Sequence, residues 1–201
     1  MKLATVALAV LAAALAAPLG AQEVKEPRTG VSFPLKRDEM TLLGVGLRTK
    51  TFLKFKVYAL GLYVADSALS GPLASQKGRI GTSAFYRELV VGDFEKKFVL
   101  KLVRDLSAEQ IQGTFRSHMP AADGKLLDQF VSYFGATKAG EECELHWIPG
   151  GRLETTVGGV VKPPIADKAF ADAVFAIWLR DRPEEDPIRK QVVSRARELI
   201  R

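Results

Sequence analysis

The sequence predicts an α+β domain, an antiparallel sheet with helices packed on one face. Strand-like and helix-like stretches come in separate blocks rather than in strict alternation, which disfavours a parallel βαβ sheet. The strongest β-type run, Phe52 to Val64, is rich in Phe, Val, Leu and Tyr,. A further hairpin signal, Pro149-Gly150-Gly151, lies between two apolar runs,.

The chain starts with Lys2 and an uncharged stretch from Leu3 to Ala17, followed by Pro18, Gly20 and the small residue Ala21. This is the layout of a cleavable signal peptide over residues 1–21. The apolar stretch is shorter than the roughly 20 residues that span a bilayer, and polar Gln22, Glu23 and Lys25 follow at once. An exported protein is expected, periplasmic or secreted, with one domain over 22–201 and no transmembrane anchor in the mature chain. A chain of that length buries about 70% of its unfolded surface without staples. Cys143 is the single cysteine, so no internal disulfide can form,. Its acidic neighbours Glu141, Glu142 and Glu144 disfavour the thiolate, which points to an inert packing role,.

Elements follow in order. Val31 to Phe33 reads as a short strand cut by Pro34, and Leu42 to Arg48 as a second. Gly44 and Gly46 there invite a bulge or a close backbone approach,. Phe52 to Val64 pairs with it as a hairpin, with the turn near Thr49 to Thr51. One face of this long strand carries Tyr58, Leu60 and Leu62, the other Val57, Ala59 and Tyr63,. Ser67 to Ile80 is a linker or short helix, and Lys97 to Val103 a strand. Ser107 with Gln110 three residues on is a capping box, opening a helix whose buried side carries Ile111, Phe115 and Met119,. Pro120 ends it. Lys125 to Phe134 is a second helix. Cys143 to Ile148 and Arg152 to Val157 form the second hairpin, and Lys168 to Leu179 a helix with Ile177 and Trp178 inward. A last helix starts at Asp186-Pro187 and buries Ile188, Val192, Ala196 and Leu199 as one stripe,.

The formal charge of +6 falls to +5 without Lys2, and the cations are dispersed. No basic arm for nucleic acid is present, and nothing identifies a protein partner. Nucleotide loops of the Walker or G-x-G-x-x-G type and the G-x-S-x-G elbow are missing, so no cofactor is expected. With only His118 and His146 and no cysteine cluster, no metal site is expected either,. His118 lies seven residues after Ile111, on the apolar side of its helix; a satisfied boundary histidine is the simpler reading, a pocket residue the functional one. Arg48 and Tyr58 carry more chemistry. On a hairpin both can face one ligand, the guanidinium fork matching a carboxylate or enolate and the phenol adding a hydrogen bond. From spacing alone, a surface arginine and a core-capping tyrosine remain the plainer alternative.

Three segments, taken in order, resemble the chalcone isomerase family: Leu43-Gly-Val-Gly-Leu-Arg48 with Lys56 to Tyr63, Arg104 to Ile111, and Ala173 to Leu179 followed by Asp186-Pro187. The resemblance implies an open-faced sandwich, an antiparallel sheet covered by helices on one side. It also implies two chemistries, the cyclisation of chalcones to flavanones and the non-catalytic binding of fatty acids. By that resemblance Arg48 matches the arginine that holds the phenolate, and Tyr58 falls where the enzymes carry a threonine. Ile111 takes the place of the ketone-polarising tyrosine, His118 that of an asparagine, and Ile177 that of a later hydroxyl residue. An isoleucine donates nothing to developing enolate charge, and such a donor is worth about 2.7–4 kcal/mol of barrier. The expectation is therefore an exported, non-catalytic binder of a fatty acid or similar amphipathic carboxylate, with Arg48, Tyr58, Ile111, His118 and Ile177 at the ligand. The alternatives are a chalcone–flavanone isomerase-type intramolecular lyase using His118 as acid or base, and an interaction module whose cleft has collapsed.

Overall fold

The computed structural model describes residues 22–50, 55–181 and 186–201. The signal-like segment lies outside them. One antiparallel sheet forms the frame: β1 (Glu23–Lys25) and β2 (Ser32–Pro34) pair as a separate ribbon, while β3 (Lys36–Arg37), β4 (Met40–Lys50), β5 (Phe55–Ala65), β6 (Lys96–Leu102), β7 (Glu142–Ile148), β8 (Arg152–Val157) and β10 (Ile165–Ala166) lie side by side. β9 (Val160–Val161) pairs with β8. The helices are α1 (Asp66–Ser70), α2 (Ser83–Val91), α3 (Ala108–His118), α4 (Gly124–Ser132), α5 (Lys168–Leu179), α6 (Asp186–Gln191) and α7 (Ala196–Leu199). The α+β sandwich anticipated from the sequence is present.

Period-two alternation in β5 sorts the core into two parts. Leu60, Leu62 and Val64 join Phe98, Leu100, Leu145 and the helices in the main core, whose aromatic centre is Phe98 with Phe175 and Trp178, each at 4.9 Å. Ala59 and Tyr63 turn to the opposite face, where Phe33 of β2, Leu42 and Val99 form a smaller core. The second face is thus partly covered, by the β1–β2 ribbon rather than by a helix. Further along it, Arg37 grips Glu142 through both guanidinium nitrogens, at 2.9 and 3.1 Å.

Of the turn expected at or near Thr49 to Thr51, Thr51 lies outside the described residues. Thr49 and Lys50 still pair with Lys56 and Phe55, so the connection falls in 51–54, outside the described residues. The last helix also departs from the single stripe expected. α6 stops at Gln191 and α7 restarts at Ala196, because the intervening chain lies flat on β4: Arg195 N donates to Leu43 O at 2.8 Å and its Nη1 to Leu42 O at 2.7 Å. Leu43 is the extra residue of a bulge between Leu42 and Gly44. A Cβ on Gly44 would sit 2.5 Å from Gln191 O and 2.8 Å from Ser194 N. The close approach that Gly44 invited is a backbone crossing, and it needs a residue with no side chain. α2 was not anticipated; Thr82 caps it by accepting from Phe85 N at 3.3 Å.

Lys96 is fully buried. Its ammonium donates to Val90 O at 2.9 Å and Gly92 O at 2.7 Å, 4.1 Å from the Trp147 ring centre, and so ties the end of α2 to the sheet. Burial pulls its pKa down to about 7, against the opposing pull of Asp172.

Two outcomes are expected. Gly44→Ala loses about 1–3 kcal/mol in urea unfolding through overpacking, whereas Gly113→Ala in α3, where a Cβ meets nothing within 4 Å, gains about 0.5–1 kcal/mol. Because the folded pKa of Lys96 lies below the unfolded 10.5, the unfolded chain binds more protons between the two values. Stability therefore rises with pH from about 7 towards 10.5, and Lys96→Met flattens that rise in unfolding curves collected across the range.

Candidate functional site

The site begins with register. Arg48 opposes Tyr58 across β4 and β5, and Tyr58 opposes Leu102 across β5 and β6. Directly opposed residues of an antiparallel pair share a face, so these three form one rung beneath the helices. Next along the sheet, Leu60, Leu100, Cys143 and Val157 make a second, wholly apolar rung apart from the thiol. A second register shift follows Arg48 directly, and a bulge there twists the end of β4.

Between this floor and the helices lies a cavity of about 230 Å³. α3 gives the roof through Ile111, Thr114, Phe115 and His118, spaced so that all four share one side of the helix,. α5 gives a wall through Ile177 and Trp178, and Phe134 closes the far side. Exposed Lys50, Arg104, Gln110 and Ser117 form the rim. The cavity has not collapsed. Arg48, Tyr58, Ile111, His118 and Ile177, gathered from four separate elements, all line it.

Polar groups in the lining are tightly set. Trp178, 1% exposed, donates its indole N–H to Tyr58 Oη at 2.8 Å. An indole nitrogen only donates, so the tyrosine oxygen accepts here. His118 Nδ1 lies 2.8 Å from Thr114 O. A carbonyl only accepts, so Nδ1 carries a proton, and in the neutral ring Nε2 is the acceptor. Glu142 reaches the cavity edge but is held from the other face of the sheet. Burial pulls its carboxyl up, yet the Arg37 hydrogen bond and charge outweigh that and keep it below the ordinary carboxylate range. Cys143 is buried in the floor, and burial, reinforced by Glu144 and Glu142, pushes its thiol well above the usual range.

His146 takes no part. It lies on the opposite face, with Nε2 2.7 Å from Glu95 Oε1, and burial together with Lys97 lowers its pKa below the ordinary histidine value. Among the described residues no group of three or more His, Cys, Asp or Glu is placed to hold a metal ion, and no helix is long and apolar enough to cross a membrane.

Sequence reasoning placed Trp178 inward but not against Tyr58, 120 residues away in the chain. It passed over Thr137 altogether. That residue sits in the irregular stretch between α4 and β7, where no periodicity marks a lining position, yet it lines the cavity.

The sequence pattern described as "Chalcone isomerase-like" matches residues 21–193. The chain belongs to the chalcone isomerase-like family. Its relatives include chalcone isomerase-like protein 1 of Humulus lupulus, 28% identical over 77% of this chain and 81% of that protein. Fatty-acid-binding protein 1 of Arabidopsis thaliana is 24% identical over 90% of this chain and 73% of that one. The crystal structure of an Arabidopsis thaliana fatty-acid binding protein superposes with a TM-score of 0.72 at 22% identity, covering 89% of this chain and 99% of the other, which shows the shared fold.

Because the thiol is both buried and hard to ionise, Cys143 is expected to resist a thiol reagent even at pH 9 while urea-unfolded protein labels completely. Labelling of the native form at a comparable rate would contradict its place in the floor.

Proposed function

We propose that this member of the chalcone isomerase-like family is an exported, non-catalytic binder of a fatty acid or a similar amphipathic carboxylate. The observation that carries the reading is the Arg48–Tyr58 rung at one side of a cavity whose lining elsewhere is mostly apolar, with Leu100, Leu102, Ile111, Phe115, Phe134 and Ile177. A guanidinium takes a carboxylate bidentately, and Tyr58 stands directly opposite to share it. Acyl carbons then run over isoleucine and phenylalanine rather than over donors. At the cavity edge Lys50 and Arg104 attract an anionic ligand against the opposing charge of Glu141, while Glu142 is paired with Arg37. Similarity to proteins named for fatty-acid binding supports the same reading. Export rests on the signal-like segment 1–21,. At about 230 Å³ the cavity falls just below the roughly 300–1,000 Å³ of drug-sized ligand sites, which favours a medium-length chain over a long one.

A second reading keeps catalysis, with His118 as general acid or base. Its support is the fixed Nδ1–H to Thr114 O, which makes Nε2 the basic nitrogen,. Against it stands Ile111, which offers no hydrogen bond to a ketone oxygen.

Displacement of a fluorescent fatty acid, backed by native mass spectrometry, distinguishes the two. Arg48→Ala is expected to weaken binding about 10–100-fold, the loss of a charge-assisted contact, and Arg48→Lys less. Wild type that ignores every acid offered, or Arg48→Ala that binds as well as wild type, defeats the proposal. Chalcone turnover followed by absorbance should not exceed the buffer rate. A rate above buffer that disappears in His118→Ala establishes the second reading instead.

A further inference from the structure

We infer that the cavity has a second polar anchor, the Thr137 hydroxyl, and that its preferred ligand is an acyl carboxylate bearing a hydroxyl or oxo oxygen along the chain. This rests on the binding reading above and specifies its ligand.

Thr137 is held by an antiparallel bridge to Leu106, N to O at 2.9 Å one way and 3.0 Å the other. Both of its backbone groups are thereby used. The residue is 6% exposed and lines the cavity, and its Oγ1 is buried with no hydrogen-bond partner. The neighbouring hydroxyls behave otherwise. Thr114 Oγ1 donates to Gln110 O at 2.7 Å, Ser117 Oγ to Thr114 O at 2.8 Å, and Tyr58 Oη accepts from Trp178. An unsatisfied buried hydroxyl is a standing cost in the empty protein. Valine has the same shape without that cost. A ligand oxygen that meets Oγ1 removes the cost on binding, so the group discriminates for ligands that carry one.

Its place in the fold separates it from the head group. Arg48 and Leu102 are two strands apart, roughly 10 Å at the usual strand spacing, and the Leu106–Thr137 bridge follows β6 beyond Leu102. With a carboxylate at Arg48, Thr137 lines the cavity several carbons along the chain, and a turn about χ1 exchanges its sealed Oγ1 with the methyl to meet a ligand oxygen,. As donor or acceptor it suits a hydroxyl, and as donor it suits an oxo group.

The test compares decanoic acid with its monohydroxylated and oxo isomers, by calorimetry, on wild type, Thr137→Val and Thr137→Ser. Wild type is expected to bind one isomer about three- to tenfold more tightly than decanoic acid, the worth of one neutral hydrogen bond. Thr137→Val should lose that preference while melting no lower than wild type; Thr137→Ser should keep the preference. No preference in wild type overturns the inference, as does a preference that survives Thr137→Val. Equal weakening of decanoic acid in Thr137→Val assigns the hydroxyl to the carboxylate and overturns it too, whereas Arg48→Ala then still weakens binding and the parent reading stands. If neither wild type nor any variant binds any of the acids, the parent reading fails and this inference with it.

Discussion

The register of β4 against β5 governs what the cavity can hold. It sets Arg48 opposite Tyr58, and a slip of β4 by one residue would turn Arg48 to the far face of the sheet. Several independent contacts hold that register. Leu42 and Tyr63 pair in the smaller core, Gly44 lies under the 191–195 crossing, and Trp178 fastens Tyr58 from the helix layer. The arginine is therefore positioned by both layers of the sandwich. On the proposed reading, a guanidinium so placed beside a phenol meets a carboxylate in a preset position, and a preset site loses less entropy on binding.

On the proposed reading, the roof is what sets this cavity apart from an enzyme site. α3 turns Ile111, Thr114, Phe115 and His118 to the cavity. Of these, only His118 can exchange a proton near neutral pH, and its Nδ1 is committed to the helix carbonyl of Thr114. Thr114 spends its hydroxyl on Gln110 O. Apart from His118 Nε2, what remains of these side chains along the roof is hydrocarbon, a good surface for an acyl chain and a poor one for developing negative charge.

Much of the frame was legible in the sequence because its signals are local. Alternation in β5 separated the two cores, and Ser107 with Gln110 announced the start of α3, where both reciprocal hydrogen bonds are present. Gly44 signalled a close approach without revealing what approaches. The break between α6 and α7 stayed hidden because its cause is the tail's hydrogen bonds to Leu42 and Leu43, some 150 residues earlier. Strands of two or three residues such as β1, β3 and β10 are too short to show a period. In the cavity, Arg48 and Tyr58 followed from hairpin geometry, whereas Ile111, His118 and Ile177 followed from resemblance to the chalcone isomerase family. Thr137 had neither route, since its position depends on a single bridge outside the main sheet.

On the proposed reading, an acyl carboxylate lies with its head between Arg48 and Tyr58 and its chain under α3. A crystal structure of the protein with decanoate tests it most directly. The account predicts carboxylate oxygens within hydrogen-bond distance of the Arg48 guanidinium and the Tyr58 hydroxyl, with the chain against Ile111 and Ile177. A carboxylate at the Lys50–Arg104 rim with the chain outside the cavity, or a cavity that stays without ligand at saturating decanoate, would contradict it.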